Sequence, residues 1–253
     1  MGVNVEAEGR IRIVTLDNPP VNAVTLALYQ EVGETIAEVA RDPGVSVVVF
    51  TAAGTRAFCA GLDLNEFLAA TVEDDPKRAL VVRTSFAAIR HAEVPVIAAV
   101  NGPALGAGAV FASVCDFRIA SENARFAMPE INVGRCGGAA HMGRHLPQGL
   151  LRRMFFTGEP ISAAEALAYG FVQEVVPPEQ LMPRTMEIAG TIATKSPLGL
   201  RMGKKALNEI EFMEVEPGYE IEQGYSTELM KTEDAREATR AVVEKRAPVF
   251  KGR

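Results

Sequence analysis

Residues 96–111, VIAAVNGPALGAGAVF, decide the architecture of the chain. Val96–Val100 is an apolar run of strand length, as expected where both faces of a sheet are covered. Asn101-Gly102-Pro103 is turn chemistry, and the small and apolar residues from Ala104 onward suit a closely packed helix. Glycines at 106 and 108 fit a dinucleotide turn, a membrane span, or a place where bare backbone meets a ligand.

The first two readings fail. A Gly-x-Gly-x-x-Gly fingerprint needs a third glycine at position 111, which is Phe111. The apolar stretch Val94–Cys115 is long enough to span a bilayer, but Pro95, Asn101, Gly102 and Pro103 interrupt it. Strand, turn and packed helix remain.

The same alternation recurs on either side. Arg10–Leu16 alternates like a half-buried strand and stops at Asp17-Asn18-Pro19-Pro20. Thr25 can cap a helix whose apolar stripe is Leu28, Val32, Ile36 and Val39. Ser46–Phe50 reads as a second buried strand, and a further one is expected around Val114–Ile119. Strands alternating with helices to about residue 175 imply an α/β fold with much parallel pairing. From Pro178 to Lys245 the pattern is almost wholly helical. One domain is expected: an α/β core over residues 1–195, and a helical extension over 196–253 that packs on the core or on another subunit.

Composition narrows the classes. The 253 residues carry a net charge of -6, so there is no basic footprint for nucleic acid. Cys59, Cys115 and Cys136 are isolated and read as free thiols of a reducing compartment. The start has no charged-then-apolar leader, and position 6 is Glu6 where a myristoylation signal has Ser or Thr. A cytoplasmic protein without membrane or nucleic-acid partners is the expectation.

Few residues stand in patterns that carry chemistry. His141 and His145 would share one helix face, but Met142 stands where a zinc-protease helix has Glu, so surface or packing histidines and no metal are expected. Gly-x-Ser-x-Gly is absent. Three places remain. Arg56–Leu64 follows a strand, turns through Gly61 and resumes as a helix, and Asn101–Gly108 does the same after the next strand. Such helix starts either aim two unpaired N–H groups at one oxygen, the geometry of an oxyanion hole, or are merely tight turns. In Met128–Gly134, Glu130 sits between apolar neighbours. It reads as a general base or acid with a raised pKa, or as a surface carboxylate in the first turn of a helix after Pro129, favoured by the helix dipole.

Taken together these residues resemble the enoyl-CoA hydratase/isomerase (crotonase) superfamily over nearly the whole chain. Asn18–Ala23, Ala57–Asp63, Asn101–Gly108, Cys115-Asp116, Pro129-Glu130, Thr157-Gly158 and the ending Glu244–Arg253 occur in the family's order and approximate spacing. The resemblance implies a spiral of repeated ββα units with a C-terminal helical region that serves trimerisation and covers the active site. It implies assembly as a homotrimer or dimer of trimers, and an acyl-CoA thioester ligand, coenzyme A being part of the substrate and no separate cofactor needed. It places the N–H groups of Ala60 and Ala107 in an oxyanion hole and Glu130 as the catalytic carboxylate. Arg56, Gly61, Leu62, Asp63, Gly106 and Val110 are expected to line the substrate, with Lys245, Arg246 and Lys251 as further candidates for the CoA phosphates.

One departure matters. Hydratases of this superfamily use two glutamates to hold the added water, and the first would fall at position 110, which is Val110. Losing one of two acid/base groups costs roughly 10²–10⁴-fold. A single carboxylate suffices for Δ3-Δ2-enoyl-CoA isomerisation, which is therefore the expected reaction. The alternatives are a hydratase or dehydratase in which Cys136 or His141 replaces the missing glutamate, and a non-catalytic CoA- or RNA-binding relative.

Overall fold

In the computed structural model, which describes residues 2–253, Gly2–Glu8 (β1) and Ile11–Asp17 (β2) pair as an antiparallel hairpin. Met1, part of the start read above as leaderless, lies outside the described residues. Leu26–Arg41 (α1) begins where expected, with the Thr25 hydroxyl accepting from Leu28 N at 3.2 Å, and it buries Leu28, Val32 and Ile36. Val47–Ala52 (β3) follows, then Leu64–Ala69 (α2) and Asp75–Arg90 (α3), and then Val96–Val100 (β4). Every residue of β3 and β4 is buried.

The opening stretch folds as read: β4 turns through Asn101–Pro103 into Ala104–Leu105 (β5) and Ala107–Val114 (α4). The strand expected around Val114–Ile119 is Phe117–Ser121 (β6), because Val114 still belongs to α4. Arg125–Ala127 (β7) and a 3-10 helix at Pro129–Val133 come next. Then follow Ala139–Met142 (α5), Gln148–Thr157 (α6), Ile161–Ser162 (β8), Ala163–Ala168 (α7) and Glu174–Val176 (β9). The chain ends in helices Leu181–Ala193 (α8), Pro197–Ile210 (α9), Val215–Met230 (α10) and Glu233–Val243 (α11).

A six-stranded sheet has the order β1-β2-β3-β4-β6-β9, parallel from β2 onward, and a three-stranded sheet has the order β5-β7-β8. Cys59 forms a parallel bridge to Ala104, so the segment after β3 runs beside β5 just as β5 runs beside β7. Successive turns of chain thus place one strand in each sheet before a helix, which is a spiral of ββα units.

Burial on both faces explains the continuous apolar strands. Val48 and Phe50 face α1, α3 and α4, while Val47, Val49, Ile97 and Ile119 face Leu181 and Ala189 of α8. Each such buried side chain contributes about 1.5–3 kcal/mol relative to exposure. Arg118 of β6 is buried and donates to the carbonyls of Phe171, Ala112 and Cys115. It thereby satisfies the C-terminal end of α4 and holds that helix in place. No helix among the described residues is long and apolar enough to cross a membrane.

Candidate active site

Three segments meet at the N-terminus of α4. The first is the stretch after β3. Phe58 N and Cys59 N donate to Pro103 O, and Leu105 N donates to Cys59 O at 2.9 Å, which zips this stretch to β5. On its other side Val24 N donates to Gly61 O at 2.8 Å and Asp63 N donates to Val24 O at 2.9 Å. Strand alternation then turns the Leu62 N–H away from Val24, toward the side on which β5 and α4 stand. Among the described residues no acceptor meets Leu62 N.

Ala60, expected as an oxyanion donor, does not fill that role here. Its N–H is donated to Val21 O at 3.0 Å, so it is spent on holding the loop and is turned away from α4. Gly61 and Leu62 are the next residues whose N–H groups meet no acceptor among the described residues, and the pairing of the Gly61 carbonyl and the Asp63 N–H with Val24 turns the Leu62 N–H toward α4.

The second segment is the start of α4. Ala107 is its first residue, and no carbonyl among the described residues accepts its N–H. A Cβ built on Gly61, where φ is +102°, would sit 3.1 Å from Leu105 O and 4.0 Å from Ala107 N. The two loops are therefore in contact, at a backbone angle that L side chains rarely adopt. At Gly108 an added Cβ would collide with Cys59, so only glycine lets α4 come this close.

Glu130, in the 3-10 helix, is the third element. Its Oε1 lies 3.1 Å from where a Cβ on Gly106 would be, which sets the carboxylate against the N-cap of α4. Its Oε2 is buried with no hydrogen-bond partner. Burial pushes the carboxyl above its ordinary value, partly opposed by a backbone hydrogen bond of its own residue. Glu130 does stand in the first turn of a short helix, but it is half-buried and desolvated, which sets the surface reading aside.

Val110 is 2% exposed. A Cβ on Gly138 would overlap its Cγ2 and approach Met128 Cε at 2.9 Å, so the backbone at Gly138 closes over this side chain. Asp63 caps α2, its Oδ1 accepting from Glu66 N at 2.8 Å. Arg56 is exposed beside the first loop without an ion pair among the described residues, whereas Arg246 is paired with Glu237 and Glu244 and Lys251 with Glu233.

The histidines separate. Helix α5 ends at Met142, so His141 and His145 do not share a helix face. His145 Nε2 lies 2.9 Å from Ser113 O, and burial lowers its pKa to about 4. His141 is half-buried, its ring 5.5 Å from that of Phe86, and burial also lowers its pKa. Cys59 and Cys115 are buried with thiols pushed up to about 12, which removes them as nucleophiles, and Cys136 is exposed.

Two contacts had no signal in the sequence. Arg135 lies over the Phe67 ring at 4.5 Å and pairs with Asp75 at 2.9 Å, strapping the Glu130 segment to α2 and α3. Tyr29 of α1 packs its ring against Phe86 and Phe111, with centroids 5.7 and 5.5 Å away.

The family model described as enoyl-CoA hydratase/isomerase matches residues 6–253. The chain is 36% identical over 248 residues to a short-chain-enoyl-CoA hydratase of Clostridium acetobutylicum, covering 96% of this chain and 95% of that protein. It is likewise 36% identical to a (7aS)-7a-methyl-1,5-dioxo-2,3,5,6,7,7a-hexahydro-1H-indene-carboxyl-CoA hydrolase of Rhodococcus jostii, covering 90% of this chain and 89% of that one. Its fold superposes on a crystal structure of an enoyl-CoA hydratase from Bacillus anthracis with a TM-score of 0.95, at 32% identity and covering 100% of both chains.

Proposed function

The chain belongs to the enoyl-CoA hydratase/isomerase family, and from that premise we propose that it shifts the double bond of a 3-enoyl-CoA thioester to the 2-position. Glu130 removes the proton from C2, and the electron pair moves into the thioester carbonyl. The resulting enolate oxygen is held by the N–H groups of Leu62 and Ala107, and the Glu130 proton returns at C4. Each backbone donor is worth about 3–4 kcal/mol to such a transition state. Burial strengthens Glu130 as a base.

The observation that carries this reading is Glu130 standing alone. Its carboxylate lies against the start of α4, and the position of a partner glutamate is filled by Val110 under Gly138. Valine neither holds a water nor passes a proton, and its packing keeps water from the 2-enoyl product. Arg56 is the proposed contact for a CoA phosphate, with Gly61, Asp63 and Gly106 forming the backbone track along the thioester.

Assembly as a homotrimer or dimer of trimers is proposed through the extension over 196–253, where Phe212, Val215, Tyr219, Met230 and Val243 are exposed. A second reading, hydration of a 2-enoyl-CoA, is favoured by the hydratase names of the Clostridium and Bacillus proteins. It would rest on His141, neutral and beside Phe86, in place of the missing glutamate.

The experiment supplies 3-enoyl- and 2-enoyl-CoA thioesters separately to wild type and Glu130→Gln. Conversion of the 3-enoyl substrate, lost in the variant and without appreciable hydration of the 2-enoyl one, is the expected result. Efficient hydration would sink the isomerase reading and move the search to His141.

A further inference from the structure

Leu62, the donor on the first loop, and Glu130, the base, stand on separate segments. On the inner side the two segments meet through the start of α4, where Gly61 faces Leu105 and Gly106 faces Glu130. A second, solvent-facing link runs through Arg135. Leu62 precedes Asp63, the N-cap of α2, and Phe67 N donates to Asp63 O at 3.0 Å, so Phe67 stands one turn beyond that cap. Arg135 N donates to Glu130 O at 2.9 Å, just past the left-handed Gly134 that ends the 3-10 helix. The Arg135 guanidinium lies 4.5 Å from the centre of the Phe67 ring, and its Nη2 is 2.9 Å from Asp75 Oδ1 in the first turn of α3.

Helix α2 has no core of its own to hold it, because none of its residues is buried. The Glu66 carboxylate ties it to α1 and α3, accepting from Leu26 N at 3.0 Å and pairing with Arg78 at 2.8 Å, and neither tie reaches the Glu130 segment. The side chains of Arg135 and Asp75 are 40% and 44% exposed, and a pair that open to solvent contributes little to global stability. Geometry is far more demanding, since groups that must meet one substrate lose about 10²-fold in rate on a misplacement of roughly 1 Å. We infer that Arg135 is a positioning residue for the reaction: by gripping Phe67 and Asp75 it fixes the distance between Glu130 and the Leu62 N–H, without itself touching substrate. This rests on the acyl-CoA site proposed above, but not on whether that site isomerises or hydrates.

The test is steady-state kinetics and melting of the full-length protein, with whichever of 3-enoyl- and 2-enoyl-CoA wild type converts. Arg135→Met keeps the length of the side chain without its charge. It should lower kcat about ten- to a hundredfold, with KM within about twofold and Tm within about 3 °C of wild type. Arg135→Lys, which keeps a cation for Phe67 and Asp75, should recover part of kcat. Phe67→Leu should also lower kcat, and its combination with Arg135→Met should be within about twofold of the slower single variant, because both break one link. An unchanged kcat in Arg135→Met, a rise in KM at constant kcat, or losses that multiply in the double variant would overturn the inference and leave the acyl-CoA site intact. Wild type that converts neither thioester would overturn that site, and the positioning with it.

Discussion

Replacing Glu130 by glutamine should cost activity and raise stability together. The carboxylate is desolvated and its Oε2 is buried without a partner, so the folded protein carries an ionised group that would be better solvated when unfolded. An unsatisfied buried polar group costs about 1–3 kcal/mol, and the part-exposure of Glu130 brings the expected gain toward about 1 kcal/mol. For a chain of this length that is about 2–4 °C in Tm at neutral pH.

The pH dependence follows from a folded pKa above the ordinary 4.5. At pH values above the folded pKa the group is ionised in both states, and wild type bears the full penalty. As pH falls from the folded pKa toward 4.5 the folded protein takes up the proton first, so the penalty fades, and below 4.5 it is gone. The Tm advantage of Glu130→Gln should therefore be present at pH 7.5 and shrink through that window, followed by differential scanning calorimetry. Isomerase turnover should fall about 10²–10⁴-fold in the same variant. A variant less stable than wild type at pH 7.5 would refute the reasoning, because it would mean that the carboxylate is satisfied and holds the fold.

Val110→Glu places a second carboxylate under Gly138. It should destabilise by roughly 3–5 kcal/mol through overpacking and charge burial, and any folded fraction should gain hydration relative to isomerisation, both read by melting and product analysis. Exchanging the backbone amide of Leu62 for an ester removes an unpaired N–H and should lower kcat about 10²–10³-fold with little change in Tm. The same exchange at Ala60 should cost about 1 kcal/mol of stability, since that N–H is bonded to Val21 O. Arg118→Met leaves the Phe171, Ala112 and Cys115 carbonyls without a donor. It should destabilise by about 3–5 kcal/mol in denaturant unfolding.

Local chemistry made much of this legible from residue order. β3 and β4 are apolar runs because both faces are covered, Thr25 caps α1 through its own hydroxyl, and Glu130 stands out between apolar neighbours. Less was visible where elements are short: β5 and β8 have two residues each, too few for any periodicity, and Val114 looks as strand-like as Phe117 although it closes α4.

Sequence by itself determined the alternation of strands and helices, the family and the two loops that meet at α4, because these depend on patterns a few residues long. Which backbone group each loop leaves free was decided only by tertiary structure. Val21 takes the N–H of Ala60, Val24 pairs with the Gly61 carbonyl and the Asp63 N–H, and the N–H groups of Gly61 and Leu62 are left without an acceptor among the described residues. Likewise only the packing of α3 and α4 against α1 sets the Tyr29 ring against Phe86 and Phe111. Hydrogen-bond supply at a site is set by segments far apart in the chain, and no local pattern records which of them arrives first.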